Sequence, residues 1–104
     1  MNGRRVTSIT DLEQPGDYCG PIDGFTAGLP AVFFLKPNAR DEGVSPVRAR
    51  SVQHVTSPPH TFTEEDDGSL TIAASISDRT VHDKAGKTSD GWHGYLERGV
   101  WRQV

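Results

Sequence analysis

Eleven glycines and seven prolines are spread along the whole of this chain of 104 residues, and their spacing constrains its fold more than any other feature. No window of about a dozen residues carries apolar side chains at i, i+3, i+4 and i+7 without a helix breaker inside it. The spacing therefore predicts little helix. What remains is β structure, whose period of two is satisfied by short segments between turns.

Several segments fit that period. In "PAVFFLKP", closed by Pro30 and Pro37, both faces are apolar: Val32 and Phe34 on one, Ala31, Phe33 and Leu35 on the other. Such a strand needs cover on both sides. "ARSVQHVTS" alternates, with Val52, His54 and Thr56 on one face, and Pro58-Pro59 ends it because proline cannot donate to a ladder. In "HTFTEEDDGSLTIAASIS" the Asp66-Asp67-Gly68-Ser69 stretch is a hairpin turn, Gly68 supplying a positive φ. Beyond it Leu70, Ile72, Ala74 and Ile76 form the expected core face, and Thr71, Ala73, Ser75 and Ser77 a small, slightly polar one, like the floor of a groove.

Residues 78–91 are expected to be a polar loop. The close of the chain is expected to be a second hairpin, Trp92–Leu96 and Val100–Val104 around Glu97-Arg98-Gly99. Residues 1–28 read as a turn-rich N-terminal segment and 29–104 as the β core of a single domain, the norm at this length. The predicted class is mainly β: a small antiparallel fold with hairpins and little helix.

Hydrophobic residues make up 34% of the chain, below the usual range of roughly 45–50% even allowing that the latter counts glycine. The core is therefore thin, and its few large side chains matter more than usual. Fourteen acids against eleven bases give a net charge of −3, the wrong sign for a nucleic-acid footprint. Arg4-Arg5 and Arg48/Arg50 read as solvated charges. The longest apolar run, Ala31–Leu35, falls far short of a membrane span. "MNGRRVTSITDLEQ" has no apolar stretch after its arginines, so no secretory signal is expected. The lone Cys19 cannot form an internal disulfide, which fits a reducing compartment. The expected location is the cytoplasm.

Cys19, His54, His60, His82 and His93 are the candidate metal ligands, yet no two have zinc spacing, so no metal and no cofactor are expected. "DKAGKTSDG" imitates a phosphate-binding loop, but Val81 stands where that motif needs glycine and the segment leads into a strand. Cys19 has no base beside it in sequence and reads as a packed residue. The more informative pair is Ser75 and His93. If their strands are neighbours with aligned faces, imidazole and hydroxyl come within hydrogen-bond reach, as a nucleophile and its base must. Asp78, Asp83 and Asp90 are candidates to orient the ring. The alternative is a cross-strand hydrogen bond with no chemistry. Trp92, Tyr95, His54 and His60 are the candidate binding residues, because aromatics beside histidines and short polar groups suit an interaction patch; in a chain with eight aromatics, the core competes for them.

The run "DGSLTIAASI", a variable loop and then "GWHGYLERGVW" resemble the close of the phage and bacterial family known as domain of unknown function 6527, often mislabelled as ammonia monooxygenase. On that pattern Ser75 matches the family's strand serine, and His93 and Gly99 match its later motif. The longer stretch from "PAVFFLKPNARDEG" onward is similar to versions carried by phages of actinobacteria. Many bacterial members carry a cysteine-rich stretch before the serine strand; "FFLKPNARDEG" has no cysteine, so whatever metal or redox role those cysteines serve is lacking here. Some members lie beside bacterial ubiquitin-like conjugation genes, which implies a peptidase whose serine and histidine correspond to Ser75 and His93.

The combined reading is a phage-type accessory protein: a small β-rich module that binds another protein, either virion-associated or directed at a host factor. A small serine hydrolase or peptidase using Ser75 and His93 is the alternative. Neither nucleic acid nor membrane is an expected partner.

Overall fold

The computed structural model describes residues 1–37, 52–78, 81–82, 88–89 and 92–104. Ten strands follow in order: β1 Arg4–Arg5, β2 Asp17–Thr26, β3 Leu29–Leu35, β4 Val52–Thr56, β5 Thr61–Glu64, β6 Leu70–Asp78, β7 Val81–His82, β8 Thr88–Ser89, β9 Trp92–Glu97 and β10 Val100–Gln103. They form a four-stranded sheet β1-β2-β3-β4, a four-stranded sheet β10-β9-β6-β5 and a small β7-β8 pair. All pairings are antiparallel except β1 with β2. A single 3-10 turn, Ile9–Asp11, is the one helical element among the described residues, so the fold is mainly β. No helix among them is long and apolar enough to cross a membrane.

The two larger sheets pack through one core. Tyr18, Val32 and Phe34 come from the first sheet, and Leu70, Ile72, Ile76, Trp92, Leu96 and Trp101 from the second. Trp101 is its hub. Its ring lies edge-on to Trp92 at 5.5 Å and tilted against Phe34 at 5.2 Å, and its Nε1–H donates to the Gly16 carbonyl at 2.8 Å. Aromatic pairs in these geometries stabilise beyond the area they bury, and the buried indole N–H is satisfied. The other face of β3 is covered as well: Ala31, Phe33 and Leu35 pack with Cys19 and Leu12, flanked by Val6 and Ile9. The two apolar faces of "AVFFL" thus meet two separate apolar clusters.

Asp17 holds the N-terminal segment in place. Its carboxylate accepts from Arg4 Nη2 at 2.7 Å and from the backbone N–H groups of Glu13 and Gln14, each at 2.9 Å. Burial pushes this carboxyl up, but the Arg4 guanidinium and the two backbone donors outweigh it and hold it below its ordinary range. The first residues join the sheets: Gly3 N–H donates to the Gly99 carbonyl beside β10, while Arg4–Arg5 pair with β2.

Both expected hairpins are present. β5 and β6 are joined through Asp67, whose carboxylate accepts from the Ser69 N–H at 3.0 Å. β9 and β10 turn through Arg98-Gly99, both at positive φ (48° and 77°), the hand that suits a two-residue hairpin. Three sequence expectations differ from the structure. Asp17–Thr26, within the turn-rich opening, is a ten-residue strand. It tolerates Gly20, Pro21 and Gly24 because its ladder with β3 carries two register shifts. Within 78–91, Val81–His82 pairs with Thr88–Ser89, while the rest of that span after Asp78 lies outside the described residues. Ala74 leaves the core face because the β6–β9 register breaks between Ile72 and Ile76.

Candidate functional site

β6 is an inner strand of the second sheet, between β5 and β9. Leu70 and Ile72 point into the core, as alternation requires. Then the register breaks. Ile72 lies opposite Leu96 and Ile76 opposite Gly94, so β6 places Ala73, Ala74 and Ser75 where β9 has Tyr95 alone. Ala74 takes a left-handed φ of 64°, a conformation that costs a residue with a Cβ roughly 1–2 kcal/mol. Because the excess is two residues rather than one, parity is restored beyond the bulge. Ile76 returns to the core and Ser75 and Ser77 stay exposed, while Ala74 is lifted outward.

β9 presents the complementary face. Its burial alternates, with Trp92, Gly94 and Leu96 inside, His93 exposed and Tyr95 half-buried. Gly94 cannot carry a side chain: a Cβ there would lie 2.1 Å from the Arg102 carbonyl oxygen and 2.5 Å from the Trp92 ring. His93 sits opposite Ser77, and its Nε2 reaches diagonally to the Ser75 Oγ at 3.1 Å. The expected approach of serine and imidazole is therefore met. When the hydroxyl donates, Nε2 carries the lone pair and Nδ1 the proton, the arrangement a general base needs. No hydrogen bond to His93 Nδ1 is seen among the described residues. The Asp78 side chain, Asp83 and Asp90 lie outside them.

His60 joins the pair from a third direction. It follows the Ser57-Pro58-Pro59 turn that carries the chain from the first sheet to the second, and its N–H donates to the Thr56 carbonyl at 3.1 Å. Its ring Nε2 lies 3.3 Å from the Ser75 carbonyl oxygen. Among the described residues its Nδ1 is buried without a partner.

The remaining candidates separate. Trp92 is 4% exposed in the core and is not available to a partner; it faces inward because alternation sends His93 out. Tyr95 shares the His93 face, opposite the bulge. His54 is on the other sheet, exposed, with its ring 5.2 Å from Phe25 and 5.6 Å from Phe33. Phe25, which no pattern singled out, is 49% exposed beside it, and its place ahead of the Ala27-Gly28 turn is the signal available in the sequence. Cys19 is fully buried, and burial pushes its thiol up, away from the reactive thiolate. Among the described residues no three His, Cys, Asp or Glu side chains gather as metal ligands. An open groove of about 450 Å³ lies between residues 5–7, 20–22 and Gly68 and shares no residue with the Ser75 site. The Arg5 guanidinium lining it is already bound to Glu64 and to the Gly20 and Gly68 carbonyls. No family model, curated protein or solved structure matches this chain.

Proposed function

We propose that the protein is a small serine hydrolase in which Ser75 is the nucleophile and His93 its general base. The observation that carries this reading is the 3.1 Å contact between Ser75 Oγ and His93 Nε2 on an exposed strand face. Ser75 directly follows a residue held in a left-handed conformation, and backbone strain of this kind collects at functional sites. In the first step Ser75 Oγ bonds to the acyl carbon as its proton passes to His93 Nε2. His93 returns that proton to the leaving group as the scissile bond breaks. Water, deprotonated by the same imidazole, then cleaves the acyl-serine and restores the hydroxyl. The open face suits an extended acyl substrate such as a peptide.

A fluorophosphonate probe tests this directly. The expected result is covalent labelling of Ser75, absent in Ser75→Ala and slowed about a hundredfold or more in His93→Ala, the scale of general-base assistance. A folded protein that takes no label, or label that persists in Ser75→Ala, overturns the proposal.

A second reading is favoured by Phe25, whose exposed ring packs edge-on against Phe33 at 4.6 Å beside His54. Under it the protein is a phage-type accessory module that binds a virion or host protein through its first sheet, and Phe25→Ala weakens that binding while Ser75→Ala does not.

A further inference from the structure

We infer that His60 is a positioning residue: by holding the Ser75 carbonyl it sets the bulge that aims the Ser75 hydroxyl at His93. The inference rests on the Ser75–His93 reading. Its basis is the way β6 loses both neighbours at once. The ladder with β5 ends at the Thr61–Ala73 pair, and the ladder with β9 is interrupted between Ile72 and Ile76. Ala74 and Ser75 are therefore in register with neither strand. Continuing the β5 ladder would set His60 against Ala74. The chain instead turns away there, and the His60 ring takes the place of that strand neighbour, its Nε2 standing 3.3 Å from the Ser75 carbonyl oxygen.

A carbonyl only accepts, so Nε2 carries the proton and Nδ1 is the bare nitrogen. Nδ1 is buried with no partner, so the ring's polar contact among the described residues is the one to Ser75. A histidine kept for packing has no need to leave a nitrogen buried and unpaired, and such groups in a folded chain call for a reason. The reason here is Ser75. With its carbonyl fixed, the left-handed Ala74 is held on one side and the χ1 of Ser75 decides between solvent and His93.

Glutamine and asparagine separate this from a general structural role. The Gln amide nitrogen extends to about where Nε2 stands, while the shorter Asn amide stops near Nδ1. Labelling of Ser75 by the fluorophosphonate is expected to be slowed about tenfold or more in His60→Asn, and to stay within about threefold of the parent in His60→Gln; misplacement of a reacting group by an ångström costs rate on this scale or larger. The imidazole ¹⁵N signals of His93 give a second readout that needs no reactivity. The parent and His60→Gln are expected to show the Nδ1–H tautomer of His93, and His60→Asn to lose that preference. Equal behaviour of the two variants in the tautomer readout overturns the inference. A parent that takes no label defeats the hydrolase proposal alone, since the tautomer comparison still decides the role of His60.

Discussion

β3 and β9 are both inner strands, yet they are buried in opposite ways. From Ala31 to Leu35 every residue of β3 is buried, whereas β9 alternates strictly between buried and less buried positions. The first sheet has its outer face covered by Leu12, Val6 and Ile9 from the N-terminal segment. The outer face of the second sheet stays open at Ser75, Ser77 and His93. The difference shows where polar chemistry has room in so small a chain. A strand covered on both sides has no position for a histidine, while an alternating strand offers one at every second residue at no cost to the core.

The largest test of that contrast pairs Leu35→Ala with Ser75→Ala. If the outer cluster of the first sheet is a true core, Leu35→Ala lowers the unfolding free energy by about 2–5 kcal/mol. Ser75→Ala, on the open face, changes it by no more than about 0.5 kcal/mol. Denaturant midpoints for the two variants measure both values, and similar losses would dissolve the distinction between the sheets.

Asp17 gives the next effect. Removing the charge in Asp17→Asn weakens a buried acceptor of four donated hydrogen bonds, at a cost of about 2 kcal/mol near neutral pH. Because the folded carboxyl titrates below its ordinary range, its contribution is complete above the unfolded pKa of about 3.9 and fades as pH falls through the folded value. Thermal melts should therefore show the parent losing its advantage over Asp17→Asn below about pH 4. A constant gap down to strong acid would mean that the carboxylate does not hold the N-terminal cover.

The smallest effect concerns the bulge. Ala73 lies in the β5 ladder with an ordinary backbone, while its neighbour Ala74 is left-handed. Ala73→Gly should destabilise by about 0.5–1 kcal/mol through the added freedom of the unfolded chain. Ala74→Gly relieves the Cβ clash that offsets that entropy and should be neutral or stabilising by up to about 1 kcal/mol. A loss at position 74 matching that at 73 would argue that the strand runs straight, and the approach of Ser75 to His93 would then need another cause.

Much of this fold is legible in residue order. The breakers exclude long helices, the Asp66–Ser69 and Arg98-Gly99 turns mark the hairpins, and alternation alone sends Trp92 inward and His93 outward. Part of the site was legible too, since Ser75 and His93 share a side of two β-prone segments. The bulge was not. Ala73-Ala74-Ser75 reads as three regular positions, and only the fixed spacing of β9, with Gly94 pinned between the Arg102 carbonyl and the Trp92 ring, leaves β6 with residues to spare. β2 is not legible in residue order because its glycines and proline look like turns until β3 lies alongside.

By itself the sequence determined which segments extend, where they reverse and which side of each strand is apolar. All of these follow from neighbours within a few residues, through sterics and the two-residue period of the extended chain. The tertiary structure decided what lies against those sides: a second apolar cluster under β3, an open face over β6 and β9, and a histidine fifteen residues from Ser75 standing in for a missing strand partner. Those outcomes depend on how two sheets close around one core. Residues far apart in the chain set that closure together, so no local pattern records it.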